Sequence, residues 1–141
     1  MDKRHSYAGD TTKQTDIRTA NGKNYCRDRD GTNSVDFGPL ASSSGAYACH
    51  WGRFGEVFEG DIRLNSSIRW TVDPLNQDCS QVRWFDVESV MTHEWGHIWG
   101  LGHVSEKLHP FLTMSTQSEG PCQDSERTLG LGDALVLNEA Y

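Results

Sequence analysis

The stretch His93-Glu94-Trp95-Gly96-His97-Ile98-Trp99-Gly100-Leu101-Gly102-His103 holds the densest chemistry in the chain. Neutral imidazole is a good ligand for a zinc-like cation, and residues one helical turn apart share a face. His93 and His97 can therefore present nitrogens to one metal ion. Glu94 sits beside His93, able to reach a water at that ion without being a ligand. A third ligand must come from elsewhere. Gly100 lets the chain leave the helix, and His103 can swing back to the same ion. Three nitrogens and an open fourth position make a catalytic zinc geometry, not a closed structural one. Such an ion would acidify a water and polarise a carbonyl, with Glu94 accepting the proton. The alternatives are unrelated histidines at a helix end, or a purely structural zinc. Neither accounts for Glu94, and a structural site would normally fill its fourth position with protein.

The helix that carries this pattern is expected to start at Asp86, a good N-cap, with Glu88 complementing the dipole in the first turn. Val87, Val90, Met91, Glu94, Ile98 and Leu101 form one stripe, and Gly100 ends it. Upstream, alternation predicts strands over Ser34–Phe37, Ala46–Trp51 and Val57–Leu64, with Ile68–Val72 extending the last. Pro39 and Ser42-Ser43-Ser44-Gly45 mark a loop, and Asp73-Pro74 breaks regular structure. Residues 1–30 are polar, with short strands expected only around Ser6-Tyr7-Ala8 and Thr15-Asp16-Ile17. Residues 104–127 read as loop, and a last helix is expected from about Gly132 to Tyr141, with Asp133 at its start. Strands followed by helices predict an α+β fold.

The chain has 141 residues, with 13 Lys and Arg against 20 Asp and Glu, a formal charge of -7. That length fits a single domain over residues 1–141. No basic cluster stands out, so nucleic acid is not an expected partner. No apolar run is long enough to cross a bilayer, so no membrane association is expected. Cys26, Cys49, Cys79 and Cys122 form an even set without a CxxC pair. Two disulfides in a secreted domain fit better than thiolate zinc sites or reduced buried thiols. Three connectivities are open, of which Cys26–Cys49 with Cys79–Cys122 is favoured. No apolar leader precedes the domain within this chain.

The extended histidine pattern resembles the metzincin zinc endopeptidases. Met114, in Leu112-Thr113-Met114-Ser115-Thr116, looks like the methionine turn that those enzymes place beneath their zinc. The likeness narrows to the matrixins, the group of the matrix metalloproteinases. Gly96 and Leu101 are similar to their helix, Gly60-Asp61-Ile62-Arg63-Leu64-Asn65 with Trp70-Thr71 to their last strand, Gly45-Ala46-Tyr47-Ala48 to their edge strand, and Leu129–Tyr141 to their closing helix. There are departures. Val104 follows the third histidine where matrixins have Ser, and Ser115-Thr116 follows Met114 where they have Tyr-Pro. No tyrosine follows closely after Met114, so the extra tyrosine ligand of astacin-like and serralysin-like relatives is not expected. The family's first strand and long helix have no convincing copy, so the chain looks N-terminally short, and its sheet is expected to be incompletely covered.

The resemblance implies a metzincin-like α+β domain: a twisted, mostly parallel sheet with an antiparallel edge strand, an active-site helix, a Met-turn and a C-terminal helix. It implies a secreted, monomeric zinc endopeptidase acting on protein or peptide substrates. Their extended backbone would lie along Ala46, Tyr47 and Ala48. In the fold implied, Cys79 precedes the active-site helix and Cys122 follows the Met-turn. One catalytic zinc is expected and structural calcium is not. Where matrix metalloproteinases hold a second zinc through a histidine on each of two strands, this chain has Tyr47 and Arg63, and a calcium-ligand position is filled by Ile68. A catalytically weak peptide-binding module on the same fold is the competing reading. Asn65-Ser66-Ser67 is a glycosylation sequon in form.

Overall fold

A computed structural model describes residues 8–53, 56–78, 82–110, 112–116 and 121–140. It starts with a hairpin. Strand β1 (Ile17–Ala20) pairs antiparallel with β2 (Lys23–Cys26). The turn between them places Asn21 at φ 52° and Gly22 at φ 71°. Positive φ at both central residues is what a two-residue hairpin turn of matching twist requires, and Asn-Gly supplies it at least cost. The polar composition of residues 1–30 predicts little regular structure, and the Asn21-Gly22 pair is the local signal that marks this hairpin. The strand expected around Ser6-Tyr7-Ala8 falls largely outside the described residues.

The main sheet has the order β3-β5-β4, with β3 at Ser34–Gly38, β4 at Ala46–Arg53 and β5 at Glu56–Asn65. β3 runs parallel to β5, and β4 runs antiparallel to β5 along the other side. The sheet thus has the expected antiparallel edge strand, β4, beside a parallel pair. The connection from β4 to β5 is too short for a crossover, so this longest pairing can only be antiparallel. Ile68–Val72 does not extend β5 either. Ser67 donates its N–H and its hydroxyl to Asn65 Oδ1, which turns the chain. β6 (Arg69–Thr71) then pairs in parallel with β7 (Trp84–Asp86) as a separate sheet. Helix α1 spans Val87–Ile98 and α2 spans Leu131–Ala140.

The two faces of β5 do different work. Gly60, Ile62 and Leu64 face α1, and a Cβ on Gly60 would lie 2.7 Å from Ile98 Cγ2, so glycine there lets the helix approach. Ile62, Leu64 and Ile98 are buried in this layer. α1 covers β4 and β5, while Val35 and Phe37 of β3 remain 47% and 57% exposed. On the other face, the β1–β2 hairpin packs through polar groups. Arg63 is 5% exposed and forms a two-pronged pair with Asp36 (Nε–Oδ1 2.7 Å, Nη2–Oδ2 2.6 Å), donating its remaining Nη1 to Ile17 C=O at 2.9 Å. Asp36 also accepts from Thr15 N–H and Thr15 Oγ1. Burial pushes its carboxyl up, but Arg63 and these donors outweigh it and hold it below the usual range. A buried ion pair is tolerated when its hydrogen bonds are this complete. Tyr47 stands opposite Arg63 in the β4–β5 register.

A small apolar cluster of Ile17, Leu40 and Cys49, flanked by Tyr47 and Trp51, lies under the hairpin. A disulfide joins Cys26 to Cys49. Cys122 is also disulfide-bonded, and Cys79 lies outside the described residues. Asn65 is 1% exposed and its Nδ2 donates to Ser44 C=O at 2.8 Å, so this sequon asparagine is not an acceptor for glycan in the folded state.

Because few apolar contacts hold the hairpin to the sheet, the Cys26–Cys49 cross-link should matter for stability. The Cys26→Ala/Cys49→Ala double variant is expected to lose about 2–4 kcal/mol in denaturant unfolding. An unfolding midpoint equal to that of the parent protein would refute this.

Candidate metal centre and substrate cleft

The site is built from the start of α1. Asp86 caps the helix, accepting from Ser89 N–H at 3.0 Å and Ser89 Oγ at 2.8 Å. Arg127 grips the same carboxylate through Nε and Nη2 at 2.8 and 2.9 Å, tying the approach to α2 onto the helix start. Burial raises the Asp86 carboxyl, but the arginine and the serine prevail and hold it below its ordinary value. At the other end, Gly100 takes φ 87°. Leu101 N–H donates to Gly96 C=O and Gly100 N–H to His97 C=O, each at 2.9 Å. This is the Schellman ending, in which a glycine at positive φ lets the last carbonyls be satisfied. The chain then doubles back toward the helix.

That reversal brings His103 to the two helical histidines. The three Nε2 atoms form a triangle with separations of 3.0, 3.1 and 3.1 Å. His93 Nδ1 lies 2.6 Å from Thr113 C=O, and His97 Nδ1 lies 2.9 Å from Leu101 C=O. A carbonyl only accepts, so each Nδ1 carries the proton and each Nε2 keeps its lone pair for the centre of the triangle. Burial pushes His93 down to about 4, and burial also lowers His97. Both rings are thus neutral at physiological pH, as metal ligation requires. Three converging nitrogen donors suit a small tetrahedral cation such as zinc.

Glu94 is 7% exposed and lines the same cleft. Burial raises its carboxyl to about 7, so it can gain and lose a proton near neutrality. Below the helix, Met114 is fully buried. A Cβ on Gly96 would clash with Met114 Sδ, so a larger residue between the two helical histidines would force the methionine side chain to move. Leu112 C=O accepts from Ser115 N–H to close the turn that carries Met114, and Met114 C=O accepts from Val104 N–H at 2.8 Å. The position after His103 thus contributes its backbone N–H, which any residue type except proline can do.

Three partners escaped sequence reading: the carbonyls of Thr113 and Leu101, and Asp133. Asp133 Oδ2 accepts from Thr113 N–H at 3.1 Å and from Gly130 N–H at 3.2 Å. It therefore ties the first turn of α2 to the residue that orients His93. A carbonyl leaves no mark in a sequence. Asp133 was visible only as an acid near the start of a helix.

A cleft of about 690 Å³ runs between β4 and α1, lined by Ala46, Tyr47 and Ala48 on one side and by Glu94 and the three histidines on the other. Elsewhere, carboxylate oxygens of Asp16, Asp30 and Glu59 gather within 4.8 Å of one another. Glu59 there accepts from Asp30 N–H and Gly31 N–H. Sequence reading did not bring these three acids together, because they come from three separate segments.

A family model described as Matrixin matches residues 10–127. Among curated proteins, Metalloendoproteinase 1-MMP of Arabidopsis thaliana is 39% identical over 61 residues, covering 41% of this chain. The matched region is 16% of the length of that relative, well under two thirds. No solved structure matches the chain.

The contact between Gly96 and Met114 gives a direct test. Gly96→Ala must displace the methionine or the helix, and overpacking of this kind costs about 1–3 kcal/mol. Thermal unfolding should register that loss. A gain of about 1 kcal/mol, which Gly→Ala gives at an unhindered position inside a helix, would mean that Met114 is not seated where the structure puts it.

Proposed function

Because the chain belongs to the matrixin family, we propose that it is a secreted zinc endopeptidase that hydrolyses protein or peptide substrates. The observation that carries this reading is the triangle of Nε2 atoms with a buried glutamate beside it in an open cleft. His93, His97 and His103 hold a single zinc, and Met114 forms the Met-turn beneath them. When bound, zinc supplies Lewis acidity that polarises a peptide carbonyl and acidifies a water.

The rest is the work of the chain's own residues. The carbonyls of Thr113 and Leu101 fix the His93 and His97 rings. The outer edge of β4, from Ala46 to Ala48, takes the extended substrate by main-chain pairing. Glu94 accepts a proton from the attacking water and passes it to the departing amine. The Cys26–Cys49 disulfide supports export to an oxidising compartment. The same single domain acts as a monomer in this reading.

Glu94 must be ionised to act as a base. Its carboxyl lies near 7 through burial, and a bound cation favours the charged form, so the acid limb of kcat/KM should fall at or below about 7. Rates drop as pH falls through that limb. Glu94→Gln should remove the limb and lower turnover by about 10²–10⁴-fold while retaining zinc. A purified Glu94→Gln protein that cleaves casein near the normal rate would sink the mechanism. Zinc binding without any chelator-sensitive hydrolysis by the parent protein would leave the peptide-binding module instead.

A further inference from the structure

The face of β5 that meets the hairpin carries three charged side chains in a row, Glu59, Asp61 and Arg63, none more than 5% exposed. Arg63 is neutralised by Asp36. The two acids have no such partner: among the described residues, no lysine or arginine forms an ion pair with either. Asp61 accepts instead from Asp16 N–H, Ser34 N–H and Ser34 Oγ. Burial still pushes its carboxyl up, and the neighbouring Asp16 carboxylate adds to that. Glu59 accepts one N–H on each oxygen, from Asp30 at 3.1 Å and from Gly31 at 2.6 Å. A carboxylate oxygen has two lone pairs, so each of these oxygens keeps one free.

Two more acids close on Glu59. Asp16, just before β1, and Asp30, between β2 and β3, bring carboxylate oxygens within 4.8 Å of it and of each other. Asp30 sits at the rim, where Lys13 Nζ reaches its Oδ2 at 3.2 Å and Thr32 N–H its Oδ1 at 2.9 Å. Asp16 is different. Its Oδ2 is buried, and no donor among the described residues reaches it. A buried carboxylate oxygen without a donor is costly, and the usual remedies are a charged partner or a metal ion. Three carboxylates against one rim lysine leave a net negative charge that hydrogen bonds alone do not offset.

We infer that Asp16, Asp30 and Glu59 bind one calcium ion, which clamps the β1–β2 hairpin and the loop before β3 onto β5. The donors are all carboxylate oxygens, with no imidazole or thiolate among them, so they select a hard cation rather than zinc. Calcium takes oxygens at about 2.3–2.6 Å in irregular sets, so ligands on opposite sides of it stand about 5 Å apart, enough to span this cluster. Magnesium demands a shorter and stricter octahedron and fits less well. The site lies on the face of β5 turned away from α1 and the three histidines, so it stands independently of the zinc and of the peptidase reading. The sequence-based expectation of no structural calcium rests on other positions, Ile68 among them; these three acids meet only in the fold.

The test titrates the zinc-loaded, calcium-free protein with calcium chloride by calorimetry and follows its thermal unfolding with and without calcium. One calcium per chain should bind. At about 100-fold excess over the dissociation constant, the unfolding midpoint should rise by about 5 °C or more. Asp30→Asn changes a rim side chain that is 38% exposed and keeps an oxygen for Thr32 N–H, so the fold is left intact. Asp30→Asn and, separately, Asp16→Asn should each weaken calcium binding by about ten-fold or more, since each removes a charged ligand. Without calcium, Asp16→Asn should unfold at or above the midpoint of the parent protein, because an uncompensated charge has gone. No heat and no shift with calcium overturns the inference. A shift that survives undiminished in both variants puts the ion elsewhere and overturns it too. An equal response to magnesium overturns the choice of calcium, and a calcium-free Asp16→Asn protein less stable than the parent overturns the reading of Asp16 as a ligand.

Discussion

Three imidazole nitrogens with inward lone pairs do not gather 3.0–3.1 Å apart unless their rings are held. Lone pairs facing one another gain nothing in the absence of a cation, so the arrangement has to be imposed by the surrounding backbone. Two of the three rings are held by Nδ1–H bonds to carbonyls, those of Thr113 and Leu101. Those carbonyls are themselves placed by the two devices on which the site depends. One is the Schellman ending at Gly100, which sets Leu101 over the His97 ring. The other is the Met114 turn, which sets Thr113 against His93.

The supports extend outward from there. Asp133 on α2 accepts from Thr113, and Arg127 grips the cap of α1. The segments after α1 are thereby tied to its N-terminal cap and, through Thr113, to His93 rather than left to their own few apolar contacts. The opposite wall is supplied by β4, whose register against β5 is locked by a long antiparallel pairing and by the disulfide to the hairpin. Close approach of sheet and helix depends on Gly60, and close approach of helix and Met114 on Gly96. Both glycines serve packing, whereas Gly100 serves backbone conformation.

Much of this was legible in the sequence because it rests on side-chain spacing. Asp86 as cap, Gly100 as stop, the one-turn interval of His93 and His97, and the placement of β3, β4 and β5 all follow from local pattern. The Asn21-Gly22 hairpin was equally legible and was overlooked among polar residues. The β6–β7 pairing was not legible, since three-residue strands from distant segments carry too little alternation to register. The orienting carbonyls were invisible in principle, because every residue has one. The antiparallel edge strand expected at Ala46–Ala48 is present as β4, and β3 pairs parallel with β5. Sequence pattern fixes which residues are strand, while the length of the connection decides direction.

The central claim is that three histidine nitrogens and an open position make up the metal centre. X-ray absorption at the zinc edge of the zinc-loaded protein tests it without recourse to activity. The account predicts three imidazole nitrogens at about 2.0–2.1 Å, with the outer-shell scattering of imidazole rings, and one exchangeable oxygen ligand. A thiolate sulfur at about 2.3 Å, or a fourth protein ligand closing the site, would contradict it.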